Sequence, residues 1–232
     1  MPQAPRAQAS RRRATGTWPV ERVIAIRNSL AERYRLAVDL GVGCGMRQGE
    51  IFGLSVDDLD FGDSGSGWLQ VQRQVKIVRN RLVFGLPKND KDRRIPVSAE
   101  LGKHLQAHMT RTPPLKVTLP SEVPGGEPTT VLLIMTTPRR NAIKRQTFDA
   151  KAWRPALRRV GLVPDRSLGM HALRHLYAST LLDAGESIKA LAEFLGHSDP
   201  AFTLRRYAHL MPTTEHRSRA AVDKLLQKIS NL

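Results

Sequence analysis

The sequence predicts a mainly α-helical domain carrying a small antiparallel β-sheet, an α+β fold. Apolar residues recur at helical spacing over most of the chain, as in Val20, Val23, Ile24, Ile26 and Leu30, and again in Leu173, Leu176 and Leu181. A central stretch, residues 68–76 (WLQVQRQVK), alternates with strand periodicity instead, and residues 81–84 and 94–97 look like two more short strands. The 232 residues, 41% of them hydrophobic, are enough for one large globular domain or two small ones.

The elements follow in order. Trp18-Pro19 opens the folded part, with proline suited to a first helical turn. A second helix places Tyr34, Leu36, Ala37 and Leu40 inward, and the glycines of residues 41–45 (GVGCG) are expected to break it. This is not a dinucleotide fingerprint: Met46 stands where a third glycine belongs, and a helix precedes it rather than a strand. Residues 47–50 (RQGE) start a short helix with Ile51 and Leu54 buried, and Asp57, Asp58 and Asp60 lie in the turn after it. Residues 68–76, 81–84 and 94–97 are expected to form one three-stranded antiparallel sheet, with residues 88–92 as a protruding turn. Ser98 caps a helix to about residue 110. Residues 112–130, with five prolines and two glycines, are expected to be an exposed loop before a short strand at 131–134. Residues 138–159 carry eight basic residues against one acid, Asp149, and an apolar face of Trp153, Ala156 and Leu157. Three helices then follow: from His171 to Gly185, from the Ser187 cap to Gly196, and from Asp199-Pro200 to Pro212. A terminal amphipathic helix, with Val222, Leu225 and Leu226 on one side, ends the chain.

Composition narrows the function. Lys and Arg number 37 against 21 acids, a net charge of +16, which points to a polyanionic partner: nucleic acid or an anionic membrane surface. Cys44 is the only cysteine, which excludes an intramolecular disulfide and a Cys-rich zinc module and fits a reducing, cytoplasmic setting. No apolar run reaches the ~18 residues of a membrane helix. Residues 1–16 hold Arg6, Arg11, Arg12 and Arg13 without an acid or an apolar core, and are expected to be a flexible basic arm. A basic face on residues 138–159 suits phosphate tracking by Arg139, Arg140, Lys144 and Arg145; a merely solvated face explains it equally.

Three boxes carry the chemistry. Residues 45–50 read GMRQGE, residues 171–175 read HALRH, and residues 195–210 read LGHSDPAFTLRRYAHL, with Tyr207 ten residues after His197. Breaking a DNA strand without a metal needs a nucleophile, a cationic clamp on the transition-state phosphorus, and an acid for the leaving oxygen. Tyrosine can be the nucleophile, although a pKa near 10 leaves little phenolate at pH 7. Arginine forks clamp nonbridging oxygens, and histidines shuttle protons or donate to the same oxygens. His171 and Arg174, three apart on a helix, share a face. Taken singly each residue has an ordinary role: Arg47 as a helix cap, Tyr207 as a half-buried core residue, His197 as a cap. The pairs His171/His175 and His104/His108 have i, i+4 spacing but lack the glutamate of a zinc protease, so no metal and no other cofactor is expected.

In combination, Arg47, His171, Arg174, His197 and Tyr207 resemble the catalytic set of the tyrosine recombinases, the phage integrase family, over about residues 18–210. The resemblance implies the family's catalytic-domain fold and a site-specific DNA recombinase. Tyr207 would attack the scissile phosphate of double-stranded DNA to give a 3′-phosphotyrosyl intermediate, resealed without ATP or metal. It implies that Arg47 and Arg174 clamp the phosphate, that His171 is the acid–base partner of Tyr207, and that His197 donates to a phosphate oxygen. Lys88 matches the hairpin lysine that protonates the leaving 5′ oxygen, with Lys91 as its rival. Glu50 resembles the buried acid bracing the active-site arginine, and His175 belongs with it as a supporting residue. Cys44 departs from the Thr or Ser usual before the first box. Family members also carry an N-terminal helical core-binding domain. None is legible before Trp18, so residues 17–212 are expected to be a catalytic domain alone. Residues 213–232 are expected to be a helix exchanged between protomers, in a tetramer on paired DNA sites. A type IB topoisomerase-like enzyme and a non-catalytic basic DNA-binding protein are the competing readings.

Overall fold

The structure, a computed structural model, describes residues 17–62, 65–87, 92–208 and 215–230. Both lysine candidates, Lys88 and Lys91, the basic arm at 1–16 and the expected boundary at 212/213 lie outside the described residues. The described residues are mostly helical with three small antiparallel β units, as the α+β expectation has it.

Helix α1 (Val20–Ser29) leads to α2 (Glu32–Cys44), the central helix, whose Leu36, Ala37, Val38 and Leu40 are buried. Gly41 and Gly43 do not break α2. A β-carbon at Gly41 would stand 2.9 Å from Leu173, and one at Gly43 2.8 Å from Leu101, so these glycines let α2 lie tight against two neighbouring helices. The helix ends at Gly45, whose φ of 59° is left-handed. Helix α3 (Gln48–Phe52) follows, then a 3₁₀ turn over Val56–Asp58.

The expected single sheet is two units. Strands β1 (Leu59–Phe61), β2 (Gly67–Val71) and β5 (Arg93–Val97) form one antiparallel sheet in the order β1-β2-β5, with Leu69 opposite Leu59 and Ile95. Strands β3 (Gln74–Val78) and β4 (Arg81–Gly85) form a separate hairpin. Its two-residue turn is Arg79-Asn80, with φ of 46° and 64° as a primed hairpin turn requires. The run 68–76 divides because Gln72 and Arg73 both turn to Asp58: the Gln72 amide donates to it at 2.6 Å, and the Arg73 guanidinium pairs with it. Their side chains serve a buried carboxylate instead of continuing the ladder.

Helix α4 (Ala99–Arg111) is capped by Ser98, which accepts from the Leu101 N–H. The expected loop over 112–130 is instead largely a hairpin, β6 (Leu115–Leu119) with β7 (Thr129–Leu133), Leu115 opposite Leu133. Its prolines stand before β6 and between the strands, where no ladder donor is needed. The basic segment is helical from residue 145 only: α5 (Arg145–Phe148), a π-helical turn (Asp149–Trp153) and α6 (Arg154–Arg159). Pro155, in the first turn of α6, has no N–H for a regular helical bond, and the helix widens just before it. Trp153 stacks on Trp18 at 6.5 Å, and Phe148 packs edge-on to Phe52 and Tyr34, fixing this helix to the core. Helices α7 (His171–Asp183), α8 (Ile188–Leu195), α9 (Pro200–Tyr207) and α10 (Glu215–Ser230) complete the order. Among the described residues, no helix is long and apolar enough to cross a membrane.

Candidate active site

Three chain segments, at residue 47, over 171–175 and over 197–207, meet at a cleft of about 450 Å³ lined by Arg47, His171, Arg174, His175, His197, Phe202, Arg206 and Tyr207, among others. Local chemistry aims each group. Arg47 precedes α3, and Glu50, one turn on, reaches back to the Arg47 backbone N–H at 2.8 Å, half of a capping box. The same carboxylate accepts from the Arg47 guanidinium at 2.9 Å. On its other side it accepts from both terminal nitrogens of Arg93, at 3.0 and 2.6 Å. Burial alone would raise the Glu50 pKa. Arg93's hydrogen bonds and charge, with Arg47's charge and N–H, overrule that and hold it at about 2. Glu50 is therefore a fixed anion between two arginines. Arg93 spends its Nε–H on the Phe194 carbonyl at 2.8 Å, joining β5 to the end of α8.

Arg174 is 1% exposed. It donates to the Gly45 carbonyl at 2.7 Å, to the Leu195 carbonyl, and to His197 Nε2 at 3.1 Å. These bonds hold its fork between the ends of α2 and α8. Burial lowers its pKa, and the charges of Arg47 and Arg93 add to that, yet it stays a cation at neutral pH. A guanidinium has no acceptor, so His197 Nε2 must accept, and its Nδ1–H donates to Thr203 Oγ1 at 2.7 Å. Burial and then the arginine charges bring the His197 pKa down to about 4, so the ring is neutral. Gly196, left-handed at φ 63°, makes the turn that aims it.

Tyr207 is 2% exposed, in the last turn of α9, which Asp199 caps by accepting from the Ala201 N–H. Its hydroxyl lies 3.0 Å from His175 Nδ1, and an Arg206 N–H reaches His175 Nε2 at 3.2 Å. His175, not His171, is thus the histidine bonded to the phenol. The His175 pKa falls to about 4, through desolvation first and then the charges around it. His171 stands at the exposed rim, its ring edge-on to that of His175 at 4.5 Å, its pKa lowered by desolvation and by Arg174, Arg206 and Arg47. Burial raises the Tyr207 pKa despite the opposing charges of Arg174, Arg206 and Arg47. The free site holds a phenol, not a phenolate.

Arg47, His171, Arg174, His175, His197 and Tyr207 are therefore together. Arg139, Arg140, Lys144 and Arg145 lie outside the cleft lining. Their segment adjoins it, since Asp149, one turn beyond Arg145, accepts from Gln48 of α3 at 2.8 Å. Arg139, Arg140 and Arg145 are exposed. Sequence reasoning passed over Arg93 and Thr203. Arg93 shares the inward parity of Ile95 and Val97 on β5, which signals a buried cation in need of an acid. Nothing in the sequence singled out Thr203.

The profile of the phage integrase family matches residues 19–214. The XerC-like tyrosine recombinase of Caldanaerobacter subterraneus subsp. tengcongensis is 30% identical over 211 residues, 84% of this chain and 51% of that protein. The tyrosine recombinase XerC of Myxococcus xanthus is 32% identical over 197 residues, 81% of this chain and 56% of that one. The chain spans about half the length of these relatives. Among solved structures, the Tn1549 transposon integrase in complex with circular intermediate DNA superposes with a TM-score of 0.68 at 19% identity, covering 91% of this chain and 67% of that one. The catalytic domain of bacteriophage HP1 integrase gives 0.57 at 18% identity, covering 89% and 94%. With the fold, the cleft and the family profile in agreement, the chain belongs to the phage integrase family of tyrosine recombinases.

Proposed function

We propose that the chain is the catalytic part of a site-specific DNA recombinase that cleaves and rejoins double-stranded DNA through Tyr207. The observation that carries this reading is the convergence on one cleft of a tyrosine, three arginines and three histidines, with His175 bonded to the phenol. Arg47 and Arg174 present N–H groups and positive charge where the nonbridging oxygens of a phosphodiester would sit, and neutral His197 stands beside them. Tyr207 attacks phosphorus and the 5′ oxygen leaves. The phenol proton passes to neutral His171, and Lys88 supplies a proton to the leaving oxygen. The resulting 3′-phosphotyrosine keeps the ester energy, so a second 5′ hydroxyl reseals the strand by the reverse route. A bound phosphate also gives Arg174, which bonds two carbonyls and His197 in the free protein, an anionic partner.

Arg139, Arg140, Lys144 and Arg145, on the exposed side of the basic segment, are proposed to track the DNA backbone. Helix α10 leaves Val222, Leu225, Leu226 and Ile229 each more than half exposed, and we assign that face to a neighbouring protomer in a tetramer on paired sites. Incubation with nicked duplexes from the DNA flanking the protein's own gene tests the reading. Wild type should release a free 5′-hydroxyl strand and Tyr207→Phe should bind equally without cleaving. Equal cleavage by both would overturn it. Strand exchange between two duplexes, as opposed to relaxation of one, separates a recombinase from a topoisomerase.

A further inference from the structure

We propose that Arg206 is a positioning residue that sets the tautomer of His175, making that ring a hydrogen-bond donor to the Tyr207 oxygen rather than the base that deprotonates it. The inference rests on Tyr207 being the nucleophile. It begins from the two contacts of one ring: His175 Nε2 lies 3.2 Å from an Arg206 terminal nitrogen, and His175 Nδ1 lies 3.0 Å from the Tyr207 hydroxyl. Guanidinium nitrogens only donate, so Nε2 must carry the lone pair. A neutral imidazole with its lone pair on Nε2 has its hydrogen on Nδ1. That hydrogen points at the Tyr207 oxygen.

The opposite tautomer would set an N–H of His175 against an N–H of Arg206. Protonation of the ring would do the same and add a charge beside Arg206, Arg174 and the neighbouring His171 and His197 rings, which all bear on it. His175 therefore holds its Nδ1 proton through the reaction. The phenol's own proton is directed into the cleft, where His171 takes it as the oxygen–phosphorus bond forms and the 5′ oxygen departs. His175 stabilises the phenoxide that develops in between, as a fixed donor aimed at a developing oxyanion does. Ser179 Oγ–H, bonded to the His175 carbonyl at 2.8 Å, leaves the ring itself to Arg206 and Tyr207.

Long-range proton–nitrogen spectra of the full chain labelled with ¹⁵N-histidine, with His175→Asn to assign the signals, read the tautomer directly. Wild type at pH 7 should show His175 protonated at Nδ1 and bare at Nε2. Arg206→Met should shift the ring toward the Nε2-protonated form, whereas Arg206→Lys, which keeps a donor, should retain the wild-type pattern. In the nicked-duplex assay Arg206→Met should slow adduct formation by on the order of tenfold to a hundredfold, with Arg206→Lys nearer wild type. An Nε2-protonated His175 in wild type, or an unchanged tautomer in Arg206→Met, overturns the proposal. Failure of wild type to form any adduct would instead strike at Tyr207 as nucleophile, and the spectra decide the tautomer separately.

Discussion

Replacing Arg93 with methionine should cost more stability than any single change among the groups proposed to touch the phosphate. The Glu50 side chain is fully buried and that of Arg93 is 6% exposed. Glu50 accepts four hydrogen bonds, two from Arg47 and two from Arg93. Arg93→Met removes two of them and leaves the Phe194 carbonyl without its side-chain donor. A buried charge stripped of one partner typically costs about 3–5 kcal/mol. The pH linkage gives a similar size: Glu50 is held at about 2 against an ordinary 4.5, and each pKa unit is worth about 1.4 kcal/mol, so the ionised form contributes roughly 3 kcal/mol. The sign follows from the depressed value. The contribution is complete above pH 4.5 and is lost as pH falls from 4.5 toward 2. Urea denaturation at pH 7 should show a loss of about 3–5 kcal/mol for Arg93→Met, with a melting temperature lower by roughly 10 °C. In that variant the acid-side decline assigned to Glu50 should flatten. Adding Glu50→Gln should recover part of the loss, because it removes the stranded charge. A cost under about 1 kcal/mol, or no recovery in the double variant, would refute the reasoning.

Other consequences are as specific. Thr203→Val removes the acceptor for His197 Nδ1–H inside the core and should cost about 1–3 kcal/mol in urea unfolding while loosening the His197 ring. Gly45→Ala forces a left-handed backbone and brings a β-carbon to 2.4 Å from Tyr177, so it should destabilise by about 2 kcal/mol or more and displace the carbonyl that holds Arg174. His175 and His197 are each held neutral down to about pH 4 against an ordinary 6.5. The unfolded chain therefore takes up protons first as pH falls from 6.5 to 4, and urea midpoints measured across that window should fall with pH. DNA affinity should decline with salt by about 0.9 log units per log unit of salt for each phosphate neutralised, and charge removal at Arg139, Arg140, Lys144 and Arg145 should reduce that slope.

Much of the helical frame was legible because helices announce themselves locally. Ser98, Ser187 and Asp199 cap where their side chains were expected to, and Gly45 and Gly196 end helices in the left-handed conformation only glycine adopts easily. The β units were harder. Whether residues 68–76 are one strand or two depends on Asp58, which is remote from the pattern that suggests a single strand. Prolines between β6 and β7 hid the inward parity of Leu115, Val117 and Leu119. Gly41 and Gly43 looked like breakers because the closeness of Leu173 and Leu101 is a tertiary fact. In the site, the identities of Arg47, Arg174, His197 and Tyr207 could be read from their boxes, but who touches whom could not. His171 and His175 lie one helical turn apart, and only the approach of α9 decides which of the two meets the phenol.

The most direct test of the central claim is to locate the covalent bond. The wild-type chain, trapped on a nicked duplex and digested with protease and nuclease, should yield by mass spectrometry a peptide bearing a nucleotide on Tyr207, joined through a 3′ phosphate. Tyr207→Phe should yield none. A nucleotide on any other residue, a 5′ linkage, or an adduct that persists in Tyr207→Phe would contradict the account.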